Sequence, residues 1–239
     1  MKMESMNVLP CTILSFLLSA GASLAQSDEE MLTGIVKTIR RQYSIAGQFC
    51  LAAVIPPNLN TLYQVFEHNS FEDVQETIGD NDSPNNNRGV YVGYGVIVAR
   101  PTLSADGRSG QHAERRVLQT LRELVENPNE FPKSQGNSLL IYSFLSACDT
   151  CTSRDHPSSI IRDLQRIVQT YTTSVFVFKK IFQPRINIVF TENDLTNSLY
   201  SLDEAIGGLA NIFRCDPTCY RCIDRQTNAV SRYCIANDA

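Results

Sequence analysis

The 239-residue chain has no tryptophan, three histidines and no excess of positive charge. Each shortage narrows what the protein can be. Lysine and arginine total 21 against 25 aspartates and glutamates, a formal net charge of −4. Proteins that hold nucleic acid across their whole surface do so with a basic field, because phosphate neutralisation dominates their affinity. Here any such contact has to come from a local basic patch. The most apolar stretch, Val8 to Leu18, is too short to cross a bilayer comfortably. No later stretch approaches the roughly 18 apolar residues a spanning helix needs, so no membrane contact and a soluble mature chain are expected. With 43% hydrophobic and 19% charged residues, nothing suggests a fibrous or disordered whole. The length allows one domain, or a domain with appendages, and a substantial core.

The N-terminus joins Lys2, the apolar run and the small-residue set Ser23-Leu24-Ala25, the pattern of a signal peptide over residues 1–25. A secreted, extracellular chain is the expectation. Cleavage removes one Lys and one Glu and leaves the charge at −4. It also removes Cys11 and leaves seven of the eight cysteines. Cys50, within the apolar run Phe49 to Ile55, reads as a buried free thiol. Cys215, Cys219, Cys222 and Cys234 form a cysteine-rich tail over 214–239. In an oxidising compartment they are expected to make two disulfides, with three pairings open, although their spacing also suits a structural zinc.

Between these ends the periodicity alternates between strand and helix. Met31, Ile35, Ile39 and Tyr43 recur at helical spacing over 28–44, and 47–55 reads as a strand ended by Pro56-Pro57. A long insertion follows up to Arg88, with a short segment around Tyr63 to Phe71 and a polar run to Asn87 that carries the glycosylation sequon Asn81-Asp82-Ser83. Gly89 to Ala99 alternates and is rich in valine and tyrosine, so it reads as one strand antiparallel to the first. A helix from His112 to Val125, a buried strand over 138–145 and a helix through Ile160 to Val168 come next. Ser174 to Phe182 and Arg185 to Phe190 read as a hairpin because only Gln183-Pro184 separates them, and Ser201 to Phe213 as a last helix.

Chemistry concentrates in His112-Ala113-Glu114 and in Cys148-Asp149-Thr150-Cys151. One imidazole and two thiolates are three good ligands for tetrahedral zinc, and three protein ligands with a fourth place open is the catalytic arrangement. Zinc lowers the pKa of a water in that place from about 15.7 to about 7. Glu114, two residues after His112 in the first turn of a helix, can face that water as a proton carrier without being a ligand. H-x-E followed by P-C-x-x-C is the zinc deaminase signature, with Ala147 here in place of proline. Taken alone, the Cys-x-x-Cys also fits a small disulfide loop, a thioredoxin-like pair or a structural zinc.

On these residues the chain resembles the cytidine deaminase-like superfamily, and within it the secreted AID/APOBEC-like deaminases of vertebrates. Ser146-Ala147-Cys148-Asp149-Thr150-Cys151 matches that family's S-P-C-x-x-C except at Ala147, and Leu145 stands where many polynucleotide-acting members have tryptophan. The resemblance implies His112, Cys148 and Cys151 on zinc and Glu114 as the proton shuttle. It implies a three-layer α/β/α fold with a five-stranded mixed sheet, over about residues 26–213, ahead of the disulfide-rich tail. The implied activity is that of a hydrolase that removes the exocyclic amine of cytosine, in a nucleoside or in single-stranded DNA or RNA, with a role in immunity. A silent binding or defence protein that keeps fold and zinc is the rival.

Candidate substrate contacts are Ala113 and Ser146 within the motifs, Asn87, Arg88 and Tyr94 where the second strand begins, and Phe182. Phe182 with Lys179, Lys180 and Arg185 has the make-up of a stacking platform or of an ordinary amphipathic hairpin. Arg108, Arg115 and Arg116 flank the motif and suit phosphate steering or a solvated helix face, while His68 and His156 read as surface residues.

Overall fold

The computed structural model describes residues 16–79, 88–102, 110–126, 136–183 and 190–236, with side chains from Asp28 onward. Asn87, Arg108, Arg185 and the Asn81 sequon lie outside the described residues, as does most of the strand expected at Arg185 to Phe190.

The chain forms a mixed α/β structure around one sheet. Its strands are β1 (Cys50–Ile55), β2 (Val90–Gly93), β3 (Val96–Ala99), β4 (Ser138–Leu145), β5 (Thr173–Lys180), β6 (Ile212–Cys215) and β7 (Cys219–Arg221). They lie in the order β2-β3-β1-β4-β5-β6-β7, seven strands where five were expected. The strand expected at 185–190, mostly outside the described residues, is not among the seven, and two differences add three others. The run Gly89 to Ala99 is not one strand but the hairpin β2–β3, whose turn at Tyr94-Gly95 puts Gly95 at φ +68°, a conformation that strains any side chain with a Cβ. The other is at the C-terminus, where residues 212–215 are a strand rather than the end of a helix, and β7 returns beside them.

β4, β5 and β6 run parallel, β1 and β3 antiparallel to their neighbours. The sheet neighbour of β5 on its far side is therefore β6, reached through helix α7 (Glu192–Ala205), rather than the adjoining strand of a hairpin. Parallel neighbours need such a crossover. The last helix thus starts nine residues earlier than its expected Ser201, at a capping box in which Thr191 and Asp194 satisfy each other's backbone N–H groups.

Helices cover both faces because the strands alternate cleanly. Cys50, Ala52 and Val54 join the core beneath α4 (Ala113–Glu126), α6 (Ile161–Ile167) and α7. Leu51, Ala53 and Ile55 face α1 (Phe16–Gln42), α2 (Leu62–Glu67) and α3 (Phe71–Ile78). Of the stripe expected on the first helix, Ile35, Ile39 and Tyr43 are buried, with Leu32 and Val36 beside them, but Met31 is exposed. The insertion between Pro56 and Arg88 contributes α2 and α3, whose Leu62, Phe66, Val74 and Ile78 extend that same core. Arg122 Nη1 on α4 donates to Asp163 Oδ1 on α6 at 2.6 Å and ties the two helices on the other face.

The tail belongs to the sheet. Cys215 and Cys219, opposite each other across β6 and β7, are bonded, and so are Cys222 and Cys234, so the two expected disulfides form and the structural-zinc alternative for these four falls away. Cys50 is a free, buried thiol as expected. Among the described residues no helix is long and apolar enough to cross a membrane.

Candidate metal centre

β4 ends at Leu145, and three residues on Cys148 caps a single helical turn, α5 (Asp149–Thr152). Its Sγ accepts from the Cys151 N–H at 3.2 Å, which locks both sulfurs on one side of the turn. The long helix expected directly after the cysteines starts only at Ile161. α4 packs on β1 and β3 through Val117, Leu118 and Leu121, and this sets its first residue, Ala113, fully buried over the sheet. His112, just before that helix, then reaches the cysteines. Its Nδ1 lies 3.3 Å from Cys151 Sγ and 3.9 Å from Cys148 Sγ, and the three side chains form the one group of three or more His, Cys, Asp or Glu among the described residues whose ligand atoms all fall within 4.8 Å. This is the C-terminal end of a parallel strand, where open α/β sheets bind ligands.

The two sulfurs are also joined to each other. As a disulfide they offer a metal no thiolate, whereas reduction frees two thiolates beside one imidazole, the set a tetrahedral zinc takes. The residues present therefore fit such an ion in their reduced state, and the outcome at this centre turns on redox state as much as on geometry.

Glu114 is 2% exposed. Its Oε1 accepts from the Ser143 hydroxyl, and its Oε2 is buried without a hydrogen-bond partner. Burial pushes its carboxyl pKa up, opposed by the Ser143 hydrogen bond, by its own backbone N–H and by His112. An acid held this way is suited to accept and return a proton. Cys50 lies close enough for the Glu114 charge to add to the burial that holds its thiol protonated. Ser143 has no place among the candidates the sequence offers, and Cys50 reads there only as a buried thiol. The signal for Ser143 was slight: a single serine within the run Leu139 to Leu145.

The remaining picks divide by where the sheet puts them. Phe182 stands at the centre, its ring 5.8 Å from His112 and 6.0 Å from Phe190. Ser146 supports it, because Ser146 Oγ accepts from the Phe182 N–H at 3.0 Å. Arg88 sits at the same end of the sheet but is buried, and one of its guanidinium nitrogens donates to the Pro101 carbonyl at 3.1 Å. Tyr94 is a correction. β1 pairs Cys50 with Ser143 and Ala99 at the metal end, and the Val54 N–H donates to the Gly95 carbonyl at the other. The β2–β3 turn therefore points away from the cysteines, and the exposed Tyr94 ring stacks near His68 instead.

Arg116 faces inward and donates to the Arg100 and Arg88 carbonyls, so it braces the sheet edge rather than meeting phosphate. Lys179 pairs with Asp216 at 3.6 Å, and the ammonium groups of Lys179 and Lys180 lie 5.6 and 5.9 Å from the Phe144 ring. His156 is an exposed loop residue whose ring accepts from the Ser158 N–H.

A family model described as Secreted Novel AID/APOBEC-like Deaminase 1 matches residues 29–238. No curated protein and no solved structure matches the chain at a significant level.

Proposed function

Since the chain belongs to the Secreted Novel AID/APOBEC-like Deaminase 1 family, we propose that it is a secreted, zinc-dependent cytosine deaminase with a three-layer cytidine deaminase-like fold. Residues 1–25 are its signal peptide, 26–213 carry the catalytic domain and 214–239 the disulfide-rich tail. The observation that carries the reading is the meeting of His112, Cys148 and Cys151, with a buried, half-satisfied Glu114 two residues after His112. His112 and the two reduced cysteines hold the ion. When bound, zinc supplies the polarisation that makes a water nucleophilic near neutral pH.

The chain's own residues do the rest. Glu114 carries one proton of the attacking water to the ring nitrogen, where it stays, and then the second, from the new C4 hydroxyl, to the amine, so the C4–N bond breaks, ammonia leaves and uracil remains. Phe182 offers an aromatic face beside His112 on which the base can rest. The substrate is a nucleoside or a cytosine in single-stranded nucleic acid; the net charge of −4 confines any phosphate contact to local groups. An extracellular or microbial nucleic acid, in immune defence, is the target that secretion makes reachable.

The test is conversion of cytosine to uracil, with ammonia release, by zinc-loaded mature protein on cytidine, deoxycytidine and single-stranded oligonucleotides. Glu114→Ala runs beside it and is expected to lower turnover by about 10²- to 10⁴-fold. A second reading, a silent binding protein, rests on the joined Cys148 and Cys151 sulfurs. Protein purified with that disulfide intact, without zinc and without turnover after reduction and zinc loading, would favour it.

A further inference from the structure

We infer that Ser143 is a positioning residue for the proton carrier: it fixes one carboxylate oxygen of Glu114 and leaves the other as the oxygen that moves the proton. The inference rests on the deaminase reading above and names a residue which that reading does not use. Ser143 is fully buried near the end of β4, in a strand whose neighbours Leu139 to Tyr142 are apolar or aromatic and equally buried. A buried hydroxyl without a partner costs stability, and the bond to Glu114 Oε1 is what satisfies this one.

The pairing of β4 decides the geometry. Ser143 lies opposite Cys50 of β1 and beside Phe178 of β5, in the sheet that floors the first turn of α4, a helix seated on β1 and β3. From that floor its hydroxyl meets Glu114 from below. Oε1 is thereby spent on a hydrogen bond from the protein. Oε2 is shut from water with no partner, an arrangement that a carboxylate keeps only where something else engages it. The two oxygens of one carboxylate thus have different work, and the hydroxyl of Ser143 decides which is which.

Without the hydroxyl the carboxylate is free to rotate, and misplacement of this kind costs turnover rather than substrate affinity. The experiment compares wild type with Ser143→Ala and Ser143→Thr, each zinc-loaded, on cytidine and on a single-stranded oligodeoxynucleotide with one cytosine. Ser143→Ala is expected to lower kcat by about tenfold to a hundredfold with KM and zinc content unchanged. Ser143→Thr, which restores the hydroxyl, is expected to recover most of it.

A second measurement does not depend on turnover. Melting temperatures of Ser143→Ala, Glu114→Ala and the double variant form a cycle, and the bond requires their shifts to be non-additive. Additive shifts overturn the inference whatever the activity, and so does full kcat in Ser143→Ala. Absence of turnover in wild type, or turnover retained in Glu114→Ala, would instead sink the deaminase reading. The cycle would then still decide whether Ser143 orients Glu114.

Discussion

Replacing Cys222 and Cys234 together by alanine removes the bond that closes the C-terminal segment onto β6. The two cysteines are separated by 12 positions and both are buried. In the chain-entropy account, a loop of that length restrains the unfolded chain by about 3 kcal/mol. The native fold would keep other ties on the same segment: Arg214, itself buried, donates to the Tyr233 and Ala236 carbonyls on either side of Cys234. Those bonds hold the folded state and do nothing in the unfolded one, so the loss of the loop restraint should appear almost undiminished.

For a chain of this size, about 3 kcal/mol corresponds to a fall in Tm of roughly 6–12 °C. Calorimetry on the mature protein, with the Cys215–Cys219 bond verified intact by mass spectrometry, measures it. The consequence reaches the metal centre. Cys234 lines a small cavity with Ser146 and Ala147, the residues that lead into Cys148, so the variant should also hold zinc less tightly. A Tm within about 2 °C of wild type would show that the tail is held by its side-chain bonds alone, and would refute the reasoning.

Three further outcomes are expected. Thr191→Ala removes the N-cap of α7 and should cost about 1 kcal/mol in urea unfolding. The hydrogen bonds from Thr191 hold the Asp194 carboxyl below its ordinary pKa, so this stabilisation is present above the ordinary carboxylate range and is lost as the pH falls through the depressed value. The gap between variant and wild type should therefore narrow in acid. Cys148→Ser should reduce bound zinc, measured by atomic absorption after reducing purification, well below about one ion per chain, while far-UV circular dichroism stays as in wild type. Phe182→Ala should raise KM on single-stranded oligonucleotides, in line with about 1–3 kcal/mol for a lost base-stacking face, and leave kcat nearly unchanged. Unchanged KM would remove Phe182 from the substrate path.

Much was determined by local sequence. The His-x-Glu and Cys-x-x-Cys spacings named the candidate ligands and the acid, because each motif lies within one turn and needs no long-range contact to declare itself. The stripes of α1 and α4 and the apolar run of β4 were legible for the same reason: burial on one face leaves its period in the chain. What depended on pairing was not legible. The turn at Tyr94-Gly95 reverses a run that alternates like one strand, and it carries Tyr94 to the wrong end of the sheet. The short Gln183-Pro184 link suggested a hairpin, yet β5 finds its partner thirty-odd residues on, at Ile212, beyond α7.

Ser143 and Glu114, 29 positions apart, meet only because β4 lies under the start of α4. The state of Cys148 and Cys151, joined to each other or divided around an ion, is likewise beyond the motif. Residue types and their spacing determined which atoms are able to act at this centre. Only the register of the strands and the seat of the helix upon them decided which atoms face one another, because those contacts join parts of the chain that carry no local record of each other.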